Sequence, residues 1–208
     1  MRNTHRLKYK AQNWCVSTLQ FKNVKKLIMS ENTQNKTPNL ALNGKSAFGY
    51  YVLALAVLII DQMTKIGFQK WLVTEFNSVP VIEPFFNWTL AYNRGAAFSF
   101  LANQGGWQKY FFALLGIAVS VFIIVYLRQI PKSARVLSFG LALVLGGAVG
   151  NVIDRFLYGY VIDFIHIHWG DAWHYPVFNV ADMAIMGGMA LVVWDMLFFE
   201  SKRKNGVS

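Results

Sequence analysis

The chain has 208 residues, of which 55% are hydrophobic and only 14% charged, and its formal net charge is +10. This composition is too apolar and too poor in charge for an ordinary soluble domain, so we predict an integral membrane protein. The single cysteine, Cys15, excludes an intrachain disulfide bond and a cysteine-based zinc site.

The N-terminal 46 residues carry most of the net positive charge. They contain nine Lys or Arg residues and one acid, Glu31. We interpret residues 1–46 as a basic, disordered, cytoplasmic extension without a secretory signal pattern, in which Met29 is an alternative start. Beside a membrane span, such a basic segment indicates orientation and contact with anionic lipid more often than nucleic-acid binding. We therefore predict membrane lipid, and not nucleic acid, as its partner.

Four apolar segments are long enough to cross a bilayer as helices, which takes about 17 to 25 residues each. They comprise about residues 47–68, 110–127, 136–153 and 181–199. The third and fourth segments contain glycines at which helix backbones can approach closely. These glycines are Gly146, Gly147, Gly150, Gly187 and Gly188. The predicted fold class is an all-α membrane protein whose four transmembrane helices lie within residues 47–199.

The distribution of Lys and Arg predicts how these helices are oriented. The two residue types are concentrated in the extension, in the loop 128–135 and in the basic tail 200–208, so these segments and both termini are expected in the cytoplasm. The segments 69–109 and 155–178 then lie on the outer face. Residues of about 75–105 mix β-branched and aromatic residues with turn formers, which predicts a small extracytoplasmic β-sheet. We interpret 155–178 as a loop.

Four aspartates lie at the outer border of the predicted helices. Asp61 is near the end of the first helix, Asp154 ends the third, Asp163 follows it, and Asp182 begins the fourth. A carboxylate at the depth of hydrocarbon is costly, so each of these acids is a candidate functional group. Asp195 is at the opposite end of the fourth helix, and we interpret it as a helix-end residue or as the partner of a Lys or Arg.

The local sequence predicts a different environment for each acid. Asn179 precedes Asp182 by three residues, which is the spacing of a helix capping box. Asp154 is followed by Arg155 and is expected to form an ion pair with it. Asp163 lies in the apolar run YVIDFI, where desolvation favours the protonated form. Since aspartic proteases use one protonated and one ionised carboxylate, we predict that Asp163 and Asp182 form an acid/base pair.

Other polar residues allow alternative interpretations. Lys65 stands four residues after Asp61 on one helix face and can simply pair with it. The histidines His166, His168 and His174 would suit a metal at alternating strand positions, but the cluster lacks a motif such as H-E-x-x-H, and we predict no metal site. Two other classes of protein stay open: an ion-coupled transporter, whose acids usually lie near the bilayer midplane, and a non-catalytic scaffold.

Five sequence blocks follow one another along the membrane domain. They are DQMTK (61–65), NRGAAFSFL (93–101), GGAVGNVIDR (146–155), YVIDFIHI (160–167) and FNVAD (178–182). Together they closely resemble the lipoprotein signal peptidases, or signal peptidase II, over about residues 47–199, whereas the basic extension is not part of the family pattern. The resemblance implies a four-helix aspartyl endopeptidase of the bacterial inner membrane. Such an enzyme removes signal peptides from diacylglyceryl-modified prolipoproteins and cuts just before the lipidated cysteine.

The resemblance also implies which residues form the site. Its catalytic aspartates correspond to Asp163 and Asp182, in agreement with the desolvation argument. The supporting residues correspond to Asp61, Asn93, Asn151, Asp154, Arg155, Asn179 and Ala181. No metal or organic cofactor is expected, and we expect a monomer. The substrate peptide is expected to enter laterally between helices, while the outer sheet and the periplasmic loop 155–178 cover the scissile bond.

Overall fold

The structure is a computed structural model that describes residues 41–95 and 107–204. Within these residues, four helices are long and apolar enough to cross a membrane, which confirms the four predicted spans. They are α1 (Phe48–Leu72), α2 (Gln108–Gln129), α3 (Arg135–Leu157) and α4 (Val180–Phe198), and a short helix α5 (Glu200–Lys204) follows. Many of their large apolar side chains are exposed, as expected for helices that face lipid.

Helix α3 is the centre of the bundle and packs against the other three long helices. Its glycines make this possible, because a Cβ atom on Gly146 would lie 2.5 Å from the carbonyl oxygen of Ala54 in α1. A Cβ atom on Gly147 would lie 2.4 Å from the carbonyl oxygen of Ala181 in α4. The prediction of close helix packing is thus confirmed on α3. On α4 it fails for Gly187, where a Cβ atom would have no neighbouring atom within 4 Å.

A four-stranded antiparallel sheet lies at one end of the bundle. Its strands are β1 (Ser78–Ile82), β2 (Phe86–Asn93), β3 (Val161–Trp169) and β4 (Trp173–His174), in the order β1-β2-β3-β4. The first two strands fall inside the predicted sheet region of about 75–105, of which residues 96–106 lie outside the described part of the chain. The interpretation of 155–178 as a loop is wrong, because this segment contributes the longest strand, β3.

The sheet packs on the end of α1 through an apolar cluster. Leu72, Leu90 and Ile162 are buried together, and the rings of Phe68 and Phe164 stack with centroids 4.2 Å apart. Since neighbouring side chains on a strand point to opposite faces, Asp163 points away from this cluster. The packing of the sheet on α1 therefore fixes where the Asp163 carboxyl lies.

The opposite end of the bundle is closed by polar contacts of the chain flanking α1. Asn43 is buried, its main-chain N–H donates to the carbonyl of Ile130 at 2.8 Å, and its side chain donates to Ser138 Oγ at 3.1 Å. Residues 41–46, which the prediction assigns to the extension, include these contacts to the loop after α2 and to α3. Residues 1–40, which form the rest of the predicted extension, lie outside the described residues. The buried Asp195 accepts hydrogen bonds from Arg203 in the tail, which confirms its predicted partner type.

Candidate active site

The structure brings all four predicted acids to the end of the bundle that carries the sheet. Asp61 is on α1, Asp154 on the last turns of α3, Asp163 on β3 and Asp182 in the first turn of α4. The first three are buried, and Asp182 is half-buried. Buried carboxylates need compensating partners, and each acid has different ones.

Lys65 forms ion pairs with two of these acids. Its Nζ lies 2.8 Å from Asp61 Oδ2 and 2.9 Å from Asp154 Oδ2, and it donates to Asn151 Oδ1 at 2.9 Å. These three contacts use all three donors of the ammonium group, whose side chain is only 1% exposed. The predicted pairing of Asp61 with Lys65 is confirmed. Asp61 and Asp154 thus share one buried cation.

The predicted ion pair between Asp154 and Arg155 is wrong. Successive residues on a helix point about 100° apart, so two neighbours do not face each other. Arg155 instead donates to the carbonyl oxygens of Asn151 at 3.1 Å and Gly95 at 3.4 Å. Its guanidinium carbon also lies 5.5 Å from the ring centroid of Phe112 on α2.

The first turn of α4 is held by the predicted capping box. Asn179 Oδ1 accepts from the Asp182 main-chain N–H at 2.9 Å, and Asp182 Oδ2 accepts from the Asn179 N–H at 3.3 Å. Asp61 Oδ1 accepts from the main-chain N–H of Ala181 at 2.9 Å, so Ala181 acts through its backbone. The other oxygen of Asp182 accepts from Asn151 Nδ2 at 2.8 Å. Both oxygens of Asp182 are therefore acceptors, which suits an ionised carboxylate.

Asp163 has a different environment. Its carboxyl is 2% exposed, and Asp163 Oδ1 accepts from Asn179 Nδ2 at 2.6 Å. Burial, and next the nearby Asp182 carboxylate, raise the pKa of Asp163 to about 8, although the hydrogen bonds from Asn179 and Asn93 act in the opposite direction. Asp163 is therefore mainly protonated at neutral pH, in the direction that its apolar sequence neighbours predict.

Asp163 and Asp182 line the same cavity, whose volume is about 730 Å³. The polar residues Asn93, Asn151 and Arg155 line it with them. One wall is apolar and consists of side chains from α4 and from the segment after β4. Its members include Ile185, Met186, Pro176 and Val177. The cavity can therefore hold an extended peptide with apolar side chains next to two carboxyl groups.

Gln62 and Lys65 also belong to the site, although neither is predicted as a site residue from the sequence. Gln62 Nε2 donates to Asp154 Oδ1 at 2.8 Å and lies 3.3 Å from Asp61 Oδ2, so it joins the same network. The signal that identifies Lys65 is its charge inside a membrane helix, because an ionisable group at that depth has a buried partner. No comparable signal identifies Gln62, since an uncharged amide near a helix end is common.

The histidines lie on the far strands of the sheet. The rings of His166, His168 and His174 lie together, with centroids 5.1 to 5.6 Å apart, and the His174 ring stacks on the other two. Burial lowers the pKa of His166, and the neighbouring histidines lower it further. Among residues 41–95 and 107–204, no group of three or more His, Cys, Asp or Glu side chains is arranged to hold a metal ion.

The four-helix bundle and the two carboxyl groups at one cavity define the class as a multi-pass membrane enzyme of the aspartic peptidase type. The family model described as Signal peptidase (SPase) II matches residues 53–198. The chain belongs to this family, the lipoprotein signal peptidases, and it is an aspartic endopeptidase of that kind.

Individual relatives agree with the family model. A lipoprotein signal peptidase of Pseudomonas putida is 46% identical over 168 residues, which cover 81% of this chain and 96% of the relative. One of Paraburkholderia phymatum is 51% identical over 154 residues, 74% of this chain and 90% of the relative. A solved structure described as a bacterial membrane enzyme has a TM-score of 0.61 at 29% identity and covers 76% of this chain and 90% of its own. A second has a TM-score of 0.60 at 30% identity, with 73% and 94% covered.

Proposed function

We propose that the enzyme removes the signal peptide from diacylglyceryl-modified prolipoproteins, cleaving on the N-terminal side of the lipidated cysteine with Asp163 and Asp182 as an acid/base pair. One observation carries this proposal: the two carboxyl groups line one cavity in opposite environments. Asp163 is buried with a pKa of about 8, whereas Asp182 is half-buried and accepts hydrogen bonds at both oxygens. This difference suits one acid and one base.

The proposed reaction uses water and no other reagent. Asp182 takes a proton from water while the water oxygen attacks the scissile carbonyl carbon, and Asp163 gives its proton to the carbonyl oxygen. The resulting gem-diol collapses when the carbon–nitrogen bond breaks. Asp182 then delivers its proton to the leaving amine, and one hydroxyl of the gem-diol returns a proton to Asp163. Both carboxyl groups end in their starting states.

The supporting residues have three roles: they hold the two aspartates, orient the peptide, or fix the elements that carry the aspartates. Asn179 donates to Asp163 at 2.6 Å, and Asn151 donates to Asp182 at 2.8 Å. The Asn179 amide is also 3.3 Å from Asn151 Oδ1, so one chain of amides links the pair. Asn93 and Arg155 line the cavity and are placed to orient the peptide. Asp61 and Asp154 fix the start of α4 and the start of β3, through the main-chain N–H groups of Ala181 and Ile162 respectively.

The packing of the bundle suggests how a lipidated substrate reaches the cavity. Helix α2 packs on α3, and no substantial packing joins α2 to α4 within the described residues. The cavity wall on α4 includes Met186, a side chain that is itself exposed on the helix surface. We propose that the peptide enters from the bilayer between α2 and α4 while the diacylglyceryl chains stay in lipid. The sheet and the segment 155–178 then cover the scissile bond on the periplasmic side of a bacterial inner membrane, in an enzyme that acts as a monomer.

The test is cleavage of a purified, diacylglyceryl-modified prolipoprotein by the wild type, Asp163→Asn and Asp182→Asn in detergent with a chelator, read by mass spectrometry. We expect the wild type to cut just before the lipidated cysteine and to leave the unlipidated precursor intact. Both variants should lose at least about a thousandfold in kcat, because residues that act as one unit cannot replace each other.

A matched control is Asp171→Asn, an exposed acid in the turn between β3 and β4. It should cleave as the wild type does. Full cleavage by Asp163→Asn and Asp182→Asn would refute the acid/base pair. Equal cleavage of lipidated and unlipidated precursor would refute the proposed substrate class.

A further inference from the structure

The cavity that contains the two aspartates has two ends. Ile185 and Met186 line one of them, within the membrane-spanning helix α4. The other end is lined by Glu75 and Phe76, in the connection between α1 and β1, and by Arg94, directly after β2. These three residues follow a membrane helix or a strand of the sheet, so they lie outside the membrane-spanning segments.

A contact between α1 and α4 shows that the two ends differ in depth. The main-chain N–H of Ala181 donates to Asp61, so α4 begins at the level of Asp61. From there α1 continues in the outward direction for eleven residues to Leu72, which is about 16 Å along a helix axis. Glu75 follows beyond that point, whereas Met186 lies in the opposite direction along α4. The cavity therefore leads from the bilayer side, past the aspartates, to a mouth away from the bilayer.

The proposed cleavage, on which this inference rests, determines which part of the substrate reaches each end. The signal peptide and the acyl chains are apolar and stay on the bilayer side. The chain that follows the lipidated cysteine lies outside the membrane, so it leaves the cavity by the outer mouth. Glu75, Phe76 and Arg94 therefore face the residues just after the cysteine.

Phe76 presents an exposed aromatic ring at this mouth. Its side chain is 75% exposed, and its φ of 69° lies in the left-handed region, which residues other than glycine rarely adopt. Its main-chain N–H donates to the carbonyl oxygen of Leu90 at 2.7 Å, which holds this conformation. Backbone conformations of this kind are costly and are concentrated at functional sites. The ring can contact a passing chain by apolar packing, whatever the charge of that chain.

Glu75 and Arg94 form a fixed, neutral pair at the same mouth. Arg94 Nη1 donates to Glu75 Oε1 at 3.0 Å, and Nη2 donates to Oε2 at 3.2 Å. The main-chain N–H of Tyr92 also donates to Glu75 Oε1, at 3.3 Å, and the guanidinium carbon lies 5.6 Å from the ring centroid of Tyr160. The side chains of Arg94 and Glu75 are 57% and 23% exposed, so a chain in the mouth is close to both charges.

We propose that this mouth is the exit subsite for the residues that follow the lipidated cysteine, and that the Glu75–Arg94 pair makes the subsite indifferent to their charge. Arg94 alone would favour acidic residues and repel basic ones, and Glu75 alone would do the reverse. The pair cancels both preferences, so substrates of either charge can pass.

The test uses two diacylglyceryl-modified prolipoproteins in detergent that differ only in the second and third residues after the cysteine. Both residues are Asp in one substrate and Lys in the other, and the measured quantity is the ratio of kcat/KM for the Asp substrate to kcat/KM for the Lys substrate. We expect a ratio within about twofold of one for the wild type, about fivefold higher in Glu75→Gln and about fivefold lower in Arg94→Gln, because exposed charge pairs have small energies. The exchange of both residues, Glu75→Arg with Arg94→Glu, should return the ratio to near one.

The controls are Asp171→Asn and Lys70→Gln, which remove an exposed acid and an exposed lysine that do not line the cavity. Both should keep the wild-type ratio, and an equal shift in them would overturn the subsite by showing a general effect of net charge. Normal cleavage with an unchanged ratio in Glu75→Gln and Arg94→Gln would overturn the subsite alone. A wild type that cuts neither substrate would instead refute the proposed function, and this inference with it.

Discussion

Lys65 shows how much a single buried cation can hold in place. It is the shared partner of Asp61 and Asp154, so the change Lys65→Met leaves two buried carboxylates without a counter-ion. Breaking a buried pair from one side costs about 3 to 5 kcal/mol, and we expect the free energy of unfolding to fall by that amount. The measurement is equilibrium unfolding in detergent.

The control for this prediction is Arg94→Met. Arg94 pairs with Glu75, but its side chain is 57% exposed, and exposed pairs contribute about 0 to 1 kcal/mol. If both variants lost the same stability, the burial of the Lys65 network would not be the cause.

The raised pKa of Asp163 predicts how cleavage depends on pH. In the proposed reaction Asp163 must carry a proton, and its pKa is about 8. Raising the pH through that value removes the proton, so kcat/KM should fall above about pH 8 and approach a tenfold loss per pH unit. A profile that still rises at pH 9 would show that Asp163 acts as the base. The control is Asp171→Asn, which should give the wild-type profile.

At the scale of residues, the sequence predicts environments better than partners. The apolar flanks of Asp163 predict its burial, and the three-residue spacing of Asn179 and Asp182 predicts their mutual hydrogen bonds. The pairing of Lys65 with Asp154 joins two helices that are far apart in the chain, and no local pattern encodes it. The expected pair of Asp154 and Arg155 fails because adjacency in sequence is not adjacency on a helix face.

At the scale of elements, we expect a substitution of Gly147 on α3 to disturb helix packing most strongly. A methyl group there would meet the Ala181 carbonyl oxygen at 2.4 Å, and Ala181 begins the helix that carries Asp182. Gly147→Ala should therefore push α3 and α4 apart and lower the free energy of unfolding by about 1 to 3 kcal/mol. Cleavage should fall as well, because the displaced first turn of α4 moves Asp182.

Gly187→Ala on α4 is the matched control. No atom lies within 4 Å of the added methyl position, so this change should be neutral or stabilise the helix by up to about 1 kcal/mol. Thermal unfolding and kcat of the two variants, measured together, check the comparison. An equal loss in both would mean that any alanine at these helix positions is harmful and that close packing is not the reason.

The strand β3 shows why a local pattern can predict the wrong element. The second half of the run VIDFIHIHW, from Ile165 to Trp169, alternates in polarity from residue to residue, which is typical of a strand. The same run lies in a segment bounded by two membrane helices, and its polar residues resemble those of an interfacial loop. Its partner β2 pairs Ala91 with Asp163, which is distant in the chain. Long-range pairing of this kind depends on where the helices bring the two segments, and a sequence pattern does not specify that.

At the scale of the whole molecule, the number of spans follows from physical length alone. A helix that crosses hydrocarbon needs about 20 mostly apolar residues. Four segments of the sequence meet this requirement, so the count of four is predictable. The depth of the site follows only in part, since Asp154 and Asp182 are near helix ends, whereas Asp61 lies in the middle of α1 and Asp163 lies on a strand. The length rule does not predict which helices pack against α3, because helix faces that contact lipid and faces that contact protein are both apolar.

The orientation of the bundle in the membrane gives a prediction that concerns every part of the molecule. The loop between α2 and α3 contains Lys132, and basic loops stay on the cytoplasmic side, so the sheet and the cavity should face away from the cytoplasm. In a Cys15→Ser background, a membrane-impermeant maleimide added to intact spheroplasts should label Asp171→Cys in the turn between β3 and β4 and leave Ser133→Cys in the loop unlabelled. Both positions are exposed, so permeabilised membranes should label both, which is the control for reactivity. Labelling of Ser133→Cys alone in intact spheroplasts would show that the bundle has the opposite orientation. The aspartates would then lie in the compartment that prolipoproteins occupy before export.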